Sequence, residues 1–202
     1  KFGGSLLDVE GKGIPKIIGQ IKEIKVKDDT GPITVFSAPM GCTDALIRIG
    51  ESHAQGCGQP LEPVFEIYER LAKLYVKGEY SKQCQDTLAK YRELTKVTLD
   101  SVNKRFNGNI KARTLTLGGE VTMTALMHYI LKSHSIDACC IPVEDWPVVT
   151  DDNFEDATPN YELSKKRLNT LTKPLEAGKA ISLAGFFGVT PDGLETILGR
   201  GG

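Results

Sequence analysis

Apolar segments of two different periods alternate along this chain, and this alternation constrains the fold more than any other feature. Residues 14–24 place isoleucines at positions 14, 17, 18, 21 and 24, the spacing of one face of an amphipathic helix. Residues 32–39, PITVFSAP, are apolar and β-branched between two prolines, a pattern typical of a buried strand. Strands that alternate with helices favour a parallel sheet with helices on both faces. The sequence therefore predicts an α/β fold, a three-layer α/β/α arrangement with a mainly parallel central sheet.

The later segments continue this alternation. Further apolar runs predict strands over residues 136–143 and 179–188, and TPDGLE at 190–195 predicts a turn. Helical spacing predicts helices over residues 45–54, 61–78, 81–106, 123–131 and 160–171, the last of them ending before Pro174.

Two long helices in succession, between residues 61 and 106, interrupt the order of strand and helix. We interpret them as a helical insertion of about residues 57–112 in one domain that covers residues 1–202.

Composition excludes several classes of function. The formal net charge is -1, which gives no bulk attraction to nucleic acid or to an anionic membrane. No apolar run approaches the roughly 20 residues of a membrane helix. The five cysteines are odd in number and form no C-x-x-C pair, which indicates thiols in a reducing compartment and predicts a cytoplasmic protein. The three histidines lack metal-site spacing, so we expect no metal site built by the chain.

Four glycine-containing clusters fall where strands lead into helices or near the end of the chain: KFGGS, SAPMGCT, LGGE and LGRGG. In α/β sheets, ligands bind in such loops beyond the carboxyl ends of the strands. Backbone amides, Lys and Arg hold anions, whereas a carboxylate suits an ammonium group. The clusters therefore suggest a site for phosphates and for a substrate with both an amine and a carboxylate, built from Lys1, Ser5, Ser37, Thr43, Glu120 and Arg200.

At the level of motifs the sequence resembles the aspartokinases of the amino acid kinase superfamily. KFGGS is similar to their opening K-F-G-G-[TS], SAPMGCTDAL to S-A-x-x-G-x-T-[ND]-x-L, and LGGEVTMTAL to G-E-x-x-S-x-x-L. VTDDNF is similar to T-[DN]-x-x-[FH], and the run from AGFFG to LGRGG is similar to G-F-x-G…T-T-L-G-R-G-G-S-D. The resemblance implies ATP-dependent phosphorylation of the β-carboxylate of L-aspartate to 4-phospho-L-aspartate, the first step toward lysine, threonine and methionine.

This resemblance also implies roles for individual residues. Lys1 would be catalytic and bridge the ATP phosphates and the acceptor carboxylate, and Gly3, Gly4 and Ser5 would complete the phosphate-binding loop. Glu120 would accept the substrate ammonium. The remaining substrate-binding residues would be Ser37, Thr43, Phe154, Arg200 and Gly201.

ATP and Mg²⁺ are the implied cofactors, and L-aspartate and MgATP the implied partners. A homo-oligomer is expected for the complete enzyme. Because the family motif continues with Ser-Asp, we expect these 202 residues to be the amino-acid-binding part of a longer kinase domain. The nucleotide-binding half and the regulatory ACT domains would then lie outside it, and this part alone would be inactive.

Alternatives stay open at this point. Pro39 and Met40 replace small residues of the motif, and Thr122 and Thr124 stand near its usual serine, so the acceptor could differ. Glutamate, N-acetylglutamate, carbamate or a nucleoside monophosphate are the acceptors of related kinases, and a non-catalytic amino-acid-binding module is a further alternative. Phe154 could equally pack in the core. The acidic residues at 151, 152, 155 and 156 favour a solvated loop over a metal cluster.

Overall fold

The computed structural model describes residues 1–27 and 30–199. Three short strands form an all-parallel sheet in the order β1-β3-β2, from β1 (Ile33–Phe36), β2 (Ala138–Cys140) and β3 (Ala180–Ala184). Phe2 adds a parallel bridge to Phe36 on the outer edge of β1. Two further strands, β4 (Phe187–Val189) and β5 (Glu195–Ile197), pair as an antiparallel hairpin. The expected parallel sheet and the turn at 190–195 are thus confirmed.

Eight α-helices are found in the described residues, and the apolar stripe of most of them faces the core. They are α1 (Ile14–Lys27), α2 (Cys42–Ala54), α3 (Glu62–Tyr75), α4 (Tyr80–Asp100), α5 (Gly108–Leu115), α6 (Thr122–Ser133), α7 (Tyr161–Arg167) and α8 (Asn169–Glu176). A π-helical turn (Thr116–Val121) joins α5 to α6, and a short 3₁₀ turn (Val143–Asp145) follows β2. Among the described helices, none is both long and apolar enough to cross a membrane.

Helices cover both faces of the sheet, as the three-layer prediction requires. Phe36, Ala138 and Ala180 belong to the larger core, together with α1, α2, α6 and the α3–α4 pair. Ile181 and Leu183 point into a second core with Leu171 of α8 and with Trp146 and Phe187. Residues that alternate along a strand face opposite sides of a sheet, which explains the two cores.

Tertiary packing explains two of the places where a predicted helix differs from the structure. The predicted helix 81–106 ends at Asp100, and Phe106 packs so closely against α2 that a Cβ on Gly50 would lie 2.4 Å from its ring. The helix predicted over 160–171 is instead two helices, α7 and α8, and Pro174 lies inside α8. Leu171 and Leu175 pack there against the second core, and this burial offsets the cost of about 3 kcal/mol for an interior proline.

Candidate active site at the carboxyl edge of the sheet

Three of the predicted segments meet beyond the carboxyl end of β1. Ser37 follows β1 directly, and its amide donates to the Phe2 carbonyl at 3.1 Å, which ties it to the Lys1 segment. Gly41 then takes a left-handed conformation (φ 78°) that starts α2, so Thr43 falls in the first helical turn. That conformation is accessible to glycine at little cost. Local geometry thus brings Lys1, Ser37 and Thr43 to the same edge.

Glu120 reaches this edge from a π-helical turn. The turn buries the flanking glycines tightly, because a Cβ on Gly118 would lie 3.0 Å from Leu46 and one on Gly119 would lie 3.4 Å from the Ala38 Cβ. Larger residues would push the turn away from α2 and from the loop after β1. Single π turns inside α-helices frequently occur at functional sites. The expectation that this segment begins a helix at residue 123 missed both the π turn and α5.

A cavity of about 490 Å³ opens where these segments meet. Lys1, Ser37, Thr43 and Glu120 all line it, so the structure brings together four residues that the sequence singled out. A larger cavity of about 760 Å³ lies between α3 and α4. Charged side chains and the buried Ala72, Val76 and Leu88 line it, and none of the glycine loops in the described residues reaches it. The smaller cavity is therefore the candidate active site.

Glu120 is the most perturbed group in this cavity. The residue is only 5% exposed, and burial raises the pKa of its carboxyl to about 7, although the backbone amides of Glu120 and Ala38 and the charge of Lys1 offset part of the rise. Its Oε2 atom has no hydrogen-bond partner among the described residues. A buried carboxylate with an unmatched oxygen is costly unless a ligand supplies a donor. An ammonium group is the ligand that would match both its charge and its hydrogen-bonding capacity.

An ion pair that sequence reasoning did not find also lines the cavity. Lys111 of α5 lies 2.6 Å from Glu155, and the other oxygen of Glu155 accepts the Gly108 amide at 2.8 Å. Partial burial raises the pKa of Glu155, but these two hydrogen bonds outweigh it and hold the pKa below its ordinary value. Glu155 therefore belongs to an ion pair and not to a metal cluster. Within 1–27 and 30–199, no three His, Cys, Asp or Glu side chains lie close enough together to hold a metal ion.

The structure places Phe154 elsewhere. Phe154 is half-buried against the main core and lines a separate cavity of about 600 Å³ beside Thr150 and Asp192. Phe186 lines the candidate active site instead, from a position between β3 and β4 with an unusual positive φ of 72°. A non-glycine residue with positive φ is a signal for function that only a structure can give. The sequence did not single out Phe186, because AGFFG contains two adjacent phenylalanines and no periodicity shows which of them faces the site.

The residues predicted to complete a phosphate-binding loop, Gly3, Gly4 and Ser5, lie beside the cavity and not in its wall. The Gly3 carbonyl accepts the amides of Leu6 and Leu7, so the chain turns there, and Ser5 is exposed. A Cβ on Gly4 would lie 3.4 Å from the Ala38 carbonyl, whereas one on Gly3 would meet nothing within 4 Å. Gly3 thus borders open space next to Lys1. Arg200 and Gly201 lie outside the described residues, and their predicted roles stay predictions.

The chain resembles proteins of known family in both sequence and fold. The model of the amino acid kinase family matches residues 1–202. A comparison with curated protein sequences gave no match.

Solved structures agree with this match in fold. They include E. coli aspartokinase III in complex with aspartate and ADP, and the same enzyme with lysine and aspartate, each with a TM-score of 0.76 at 24% identity. Clostridium acetobutylicum aspartate kinase has a TM-score of 0.69 at 18% identity. All of this chain aligns with 43% of the E. coli enzyme and 41% of the Clostridium enzyme, so it spans less than half the length of each. The match over its whole length shows that the chain belongs to the amino acid kinase family.

Proposed function

We propose that this chain is the amino-acid-binding part of an aspartate kinase, which transfers the γ-phosphoryl group of ATP to the β-carboxylate of L-aspartate. One observation carries the proposal: a single cavity holds a cation, Lys1, and a buried carboxylate with a free oxygen, Glu120. Aspartate presents the complementary charges, an ammonium group and carboxylates. E. coli aspartokinase III, whose structure was solved in complex with aspartate and ADP, supports the proposal through its fold.

Each cavity residue has a distinct task in this reaction. Glu120 accepts hydrogen bonds from the substrate ammonium and fixes the amino acid at one end. The hydroxyls of Ser37 and Thr43, which line the same cavity, donate to a substrate carboxylate. Phe186 forms an apolar wall that keeps water from the reacting carboxylate.

The chemical step is an in-line displacement between two anions. An oxygen of the β-carboxylate bonds to the γ-phosphorus while the bond from that phosphorus to the bridging oxygen breaks, which gives aspartyl phosphate and ADP. Because both reactants are negative, catalysis rests on positioning and on positive charge near the transferred group. Lys1 supplies that charge from the protein.

ATP and Mg²⁺ fit the residues present to different degrees. The open space at Gly3, beside Lys1, can accept phosphate oxygens against backbone amides, since no side chain fills it. No cage of carboxylates for Mg²⁺ is found in the part of the chain that the structure describes, in keeping with the preference of this ion for phosphate oxygens and water when nucleotides are bound. Mg²⁺ bound to the phosphates would offset their negative charge.

The family resemblance supports a proposal on the location, the pathway and the oligomeric state of the complete enzyme. We propose a cytoplasmic enzyme that commits aspartate to the biosynthesis of lysine, threonine and methionine, and that acts as a homo-oligomer in its complete form. The Glu120 site argues against an acceptor without a free amine, such as N-acetylglutamate or carbamate, because such an acceptor would leave the buried carboxylate unmatched.

A coupled assay of ADP release, with MgATP and each candidate acceptor, tests the proposal on the complete protein. We expect turnover with L-aspartate and none with N-acetylaspartate, which lacks the ammonium group. Glu120→Gln should raise the aspartate KM by about 100-fold with little change in the ATP KM, because a charged hydrogen bond is worth up to about 3 kcal/mol. Lys1→Ala should instead lower kcat by orders of magnitude.

Each variant is a control for the other, because Glu120 and Lys1 line the same cavity but Glu120→Gln should change the aspartate KM and Lys1→Ala should change kcat. Turnover of N-acetylaspartate at the rate of aspartate, or an unchanged aspartate KM in Glu120→Gln, would refute the role of Glu120 and with it the assigned substrate.

A further inference from the structure

The hydroxyl of Tyr68 lies deep in the protein against the π-helical turn that carries Glu120. Tyr68 of α3 is fully buried, and its Oη atom lies 2.8 Å from the Gly118 carbonyl and 3.1 Å from the Gly119 carbonyl. These are the two residues immediately before Glu120. Burial also raises the pKa of Tyr68 well above its ordinary value, so the hydroxyl keeps its proton and donates to these carbonyls.

Side-chain hydroxyls donate to carbonyls of the π-helical turn in addition to its backbone hydrogen bonds, which follow the i+5 pattern instead of i+4. Here the Thr122 hydroxyl donates to the Leu117 carbonyl at 2.5 Å. The Tyr68 hydroxyl shares its one proton between the carbonyls of the next two residues, Gly118 and Gly119. Three successive carbonyls thus accept from side-chain hydroxyls, and one of these hydroxyls comes from another helix.

A third partner extends this contact to α2, whose Thr43 lines the cavity. Cys42 Sγ lies 3.3 Å from Tyr68 Oη. Since the single hydroxyl proton points to the carbonyls, the Cys42 thiol is the donor to the Tyr68 oxygen. Burial raises the pKa of Cys42 to about 11, so this thiol is protonated at neutral pH. Cys42 directly precedes Thr43 on α2, so one hydrogen-bonded chain links the supports of Thr43 and Glu120.

We propose that Tyr68 is a positioning residue for Glu120: its hydroxyl holds the π-helical turn in register so that the carboxylate lines the same cavity as Lys1. The identity of the ligand in this inference rests on the proposed function. The contact between the Tyr68 hydroxyl and the π-helical turn rests on geometry alone. The proposal assigns to α3 a part in shaping the substrate site, although this helix does not line that cavity.

The ring and the hydroxyl of Tyr68 do separate work. The ring packs edge-on against Phe65 at 5.5 Å between centroids and fills the core, a task that needs no oxygen. Tyr68→Phe keeps the ring and removes only the hydroxyl. Its effect on Glu120 therefore distinguishes positioning from packing.

The chain supplies a matched control on the same helix. Tyr75 lies two turns further along α3, and its hydroxyl donates to the Gly11 carbonyl at 2.9 Å, far from the π turn. Tyr75→Phe therefore removes a hydroxyl-to-carbonyl bond of the same kind from the same helix without touching Glu120.

The first measurement is amide hydrogen exchange in the complete protein. We expect Tyr68→Phe to speed exchange in residues 118–122 by about tenfold relative to the wild type, the equivalent of one hydrogen bond, and Tyr75→Phe to leave those amides unchanged. Equal exchange in the two variants would overturn the proposal. This readout needs no substrate, so it decides the question even if the protein does not phosphorylate aspartate, an outcome that would refute the proposed function alone.

The second measurement is a double-mutant cycle on aspartate KM. Tyr68→Phe should raise the aspartate KM by about tenfold and leave the ATP KM within about twofold, whereas Tyr75→Phe should change neither. In the Glu120→Gln background, Tyr68→Phe should have no further effect on the aspartate KM, because the group that it positions is gone. The same rise in both backgrounds would show that Tyr68 acts on the fold in general, and would overturn the positioning role.

Discussion

The π-helical turn and the β4–β5 hairpin each bury one glutamate, and they treat its charge differently. Glu195 of β5 is 2% exposed and Glu120 of the turn is 5% exposed. Arg113 of α5 lies 2.5 Å from Glu195, whereas Glu120 is held by backbone amides and has no ion pair among the described residues. In each, the Oε2 atom lacks a hydrogen-bond partner within the described ranges.

This difference separates a structural charge from a functional one. A chain that buries a carboxylate for stability must supply a cation, because an unpaired buried charge costs several kcal/mol. The hairpin has that cation in Arg113, so Glu195 can anchor β5 to α5. The turn has none at ion-pair distance in the described residues, and Glu120 lines a cavity, so its partner can be a ligand. Strongly perturbed carboxyls in cavities are candidates for functional sites on this ground.

Replacing Arg113, the partner of Glu195, should have the largest effect on stability. Arg113→Met leaves the Glu195 carboxylate buried without its partner, and we expect it to destabilise the protein by about 3 to 5 kcal/mol. Urea unfolding measures the loss. The double variant Arg113→Met/Glu195→Gln should recover part of the stability, since no buried charge remains. A single variant as stable as the wild type would show that the pair is not needed to bury Glu195.

The contrasting substitution at the other glutamate should stabilise the protein at high pH. Folding raises the pKa of Glu120 from an ordinary 4.5 to about 7, so between these values the folded state holds a proton that the unfolded state has lost. Stability therefore falls as pH rises from about 4.5 to 7, and the cost is complete above pH 7. Glu120→Gln should remove this loss, which amounts to about 3 kcal/mol.

Thermal unfolding of the ligand-free protein between pH 4.5 and 8 tests this expectation. The difference in stability between Glu120→Gln and the wild type should grow with pH and level off above 7. A difference that is constant over the range would mean that Glu120 is already ionised in the fold at pH 5, and the contrast with Glu195 would disappear.

A second ion pair should give the smallest effect and sharpen the comparison. Lys111 and Glu155 line the same cavity as Glu120, but their side chains are 26% and 35% exposed. Solvent screens such a pair, so a double-mutant cycle with Lys111→Met and Glu155→Gln should yield a coupling below about 1 kcal/mol. A coupling as large as the loss of stability expected for Arg113→Met would show that the strength of an ion pair depends on the presence of the partner and not on burial.

Local patterns in the sequence predicted many of the helices and strands because their periodicity is a property of short segments. The isoleucine stripe at 14–24 became α1, and PITVFSAP contains β1. Prediction failed where distant packing decided the outcome, as at Phe106 under Gly50 and at Pro174 within α8. It also failed for α5 and the π turn, whose threonines and glycines have weak helix preference on their own.

The candidate site was partly predictable for the same reason. The sequence shows directly that four site residues belong to the glycine-containing clusters at strand and helix boundaries: Lys1, Ser37, Thr43 and Glu120. Lys111 and Glu155 belong to none of these clusters, and Phe186 follows Gly185 but no pattern distinguishes it from Phe187. These three residues reach the cavity from segments far apart in the chain. Tyr68 belongs to the apolar stripe of α3, and the sequence does not show that its hydroxyl has a partner outside that helix.

By itself the sequence determined the order of most elements, the loops at the sheet edge and the family motifs, since these follow from neighbouring residues. Only the tertiary structure decided that Glu120 is buried with an unmatched oxygen, that Glu195 has Arg113, and that Tyr68 bonds the carbonyls before Glu120. The physical reason is that a charge or a hydrogen bond takes its value from burial and from partners many residues away. Tyr68 and Gly118, 50 positions apart, meet only when α3 packs against the π turn.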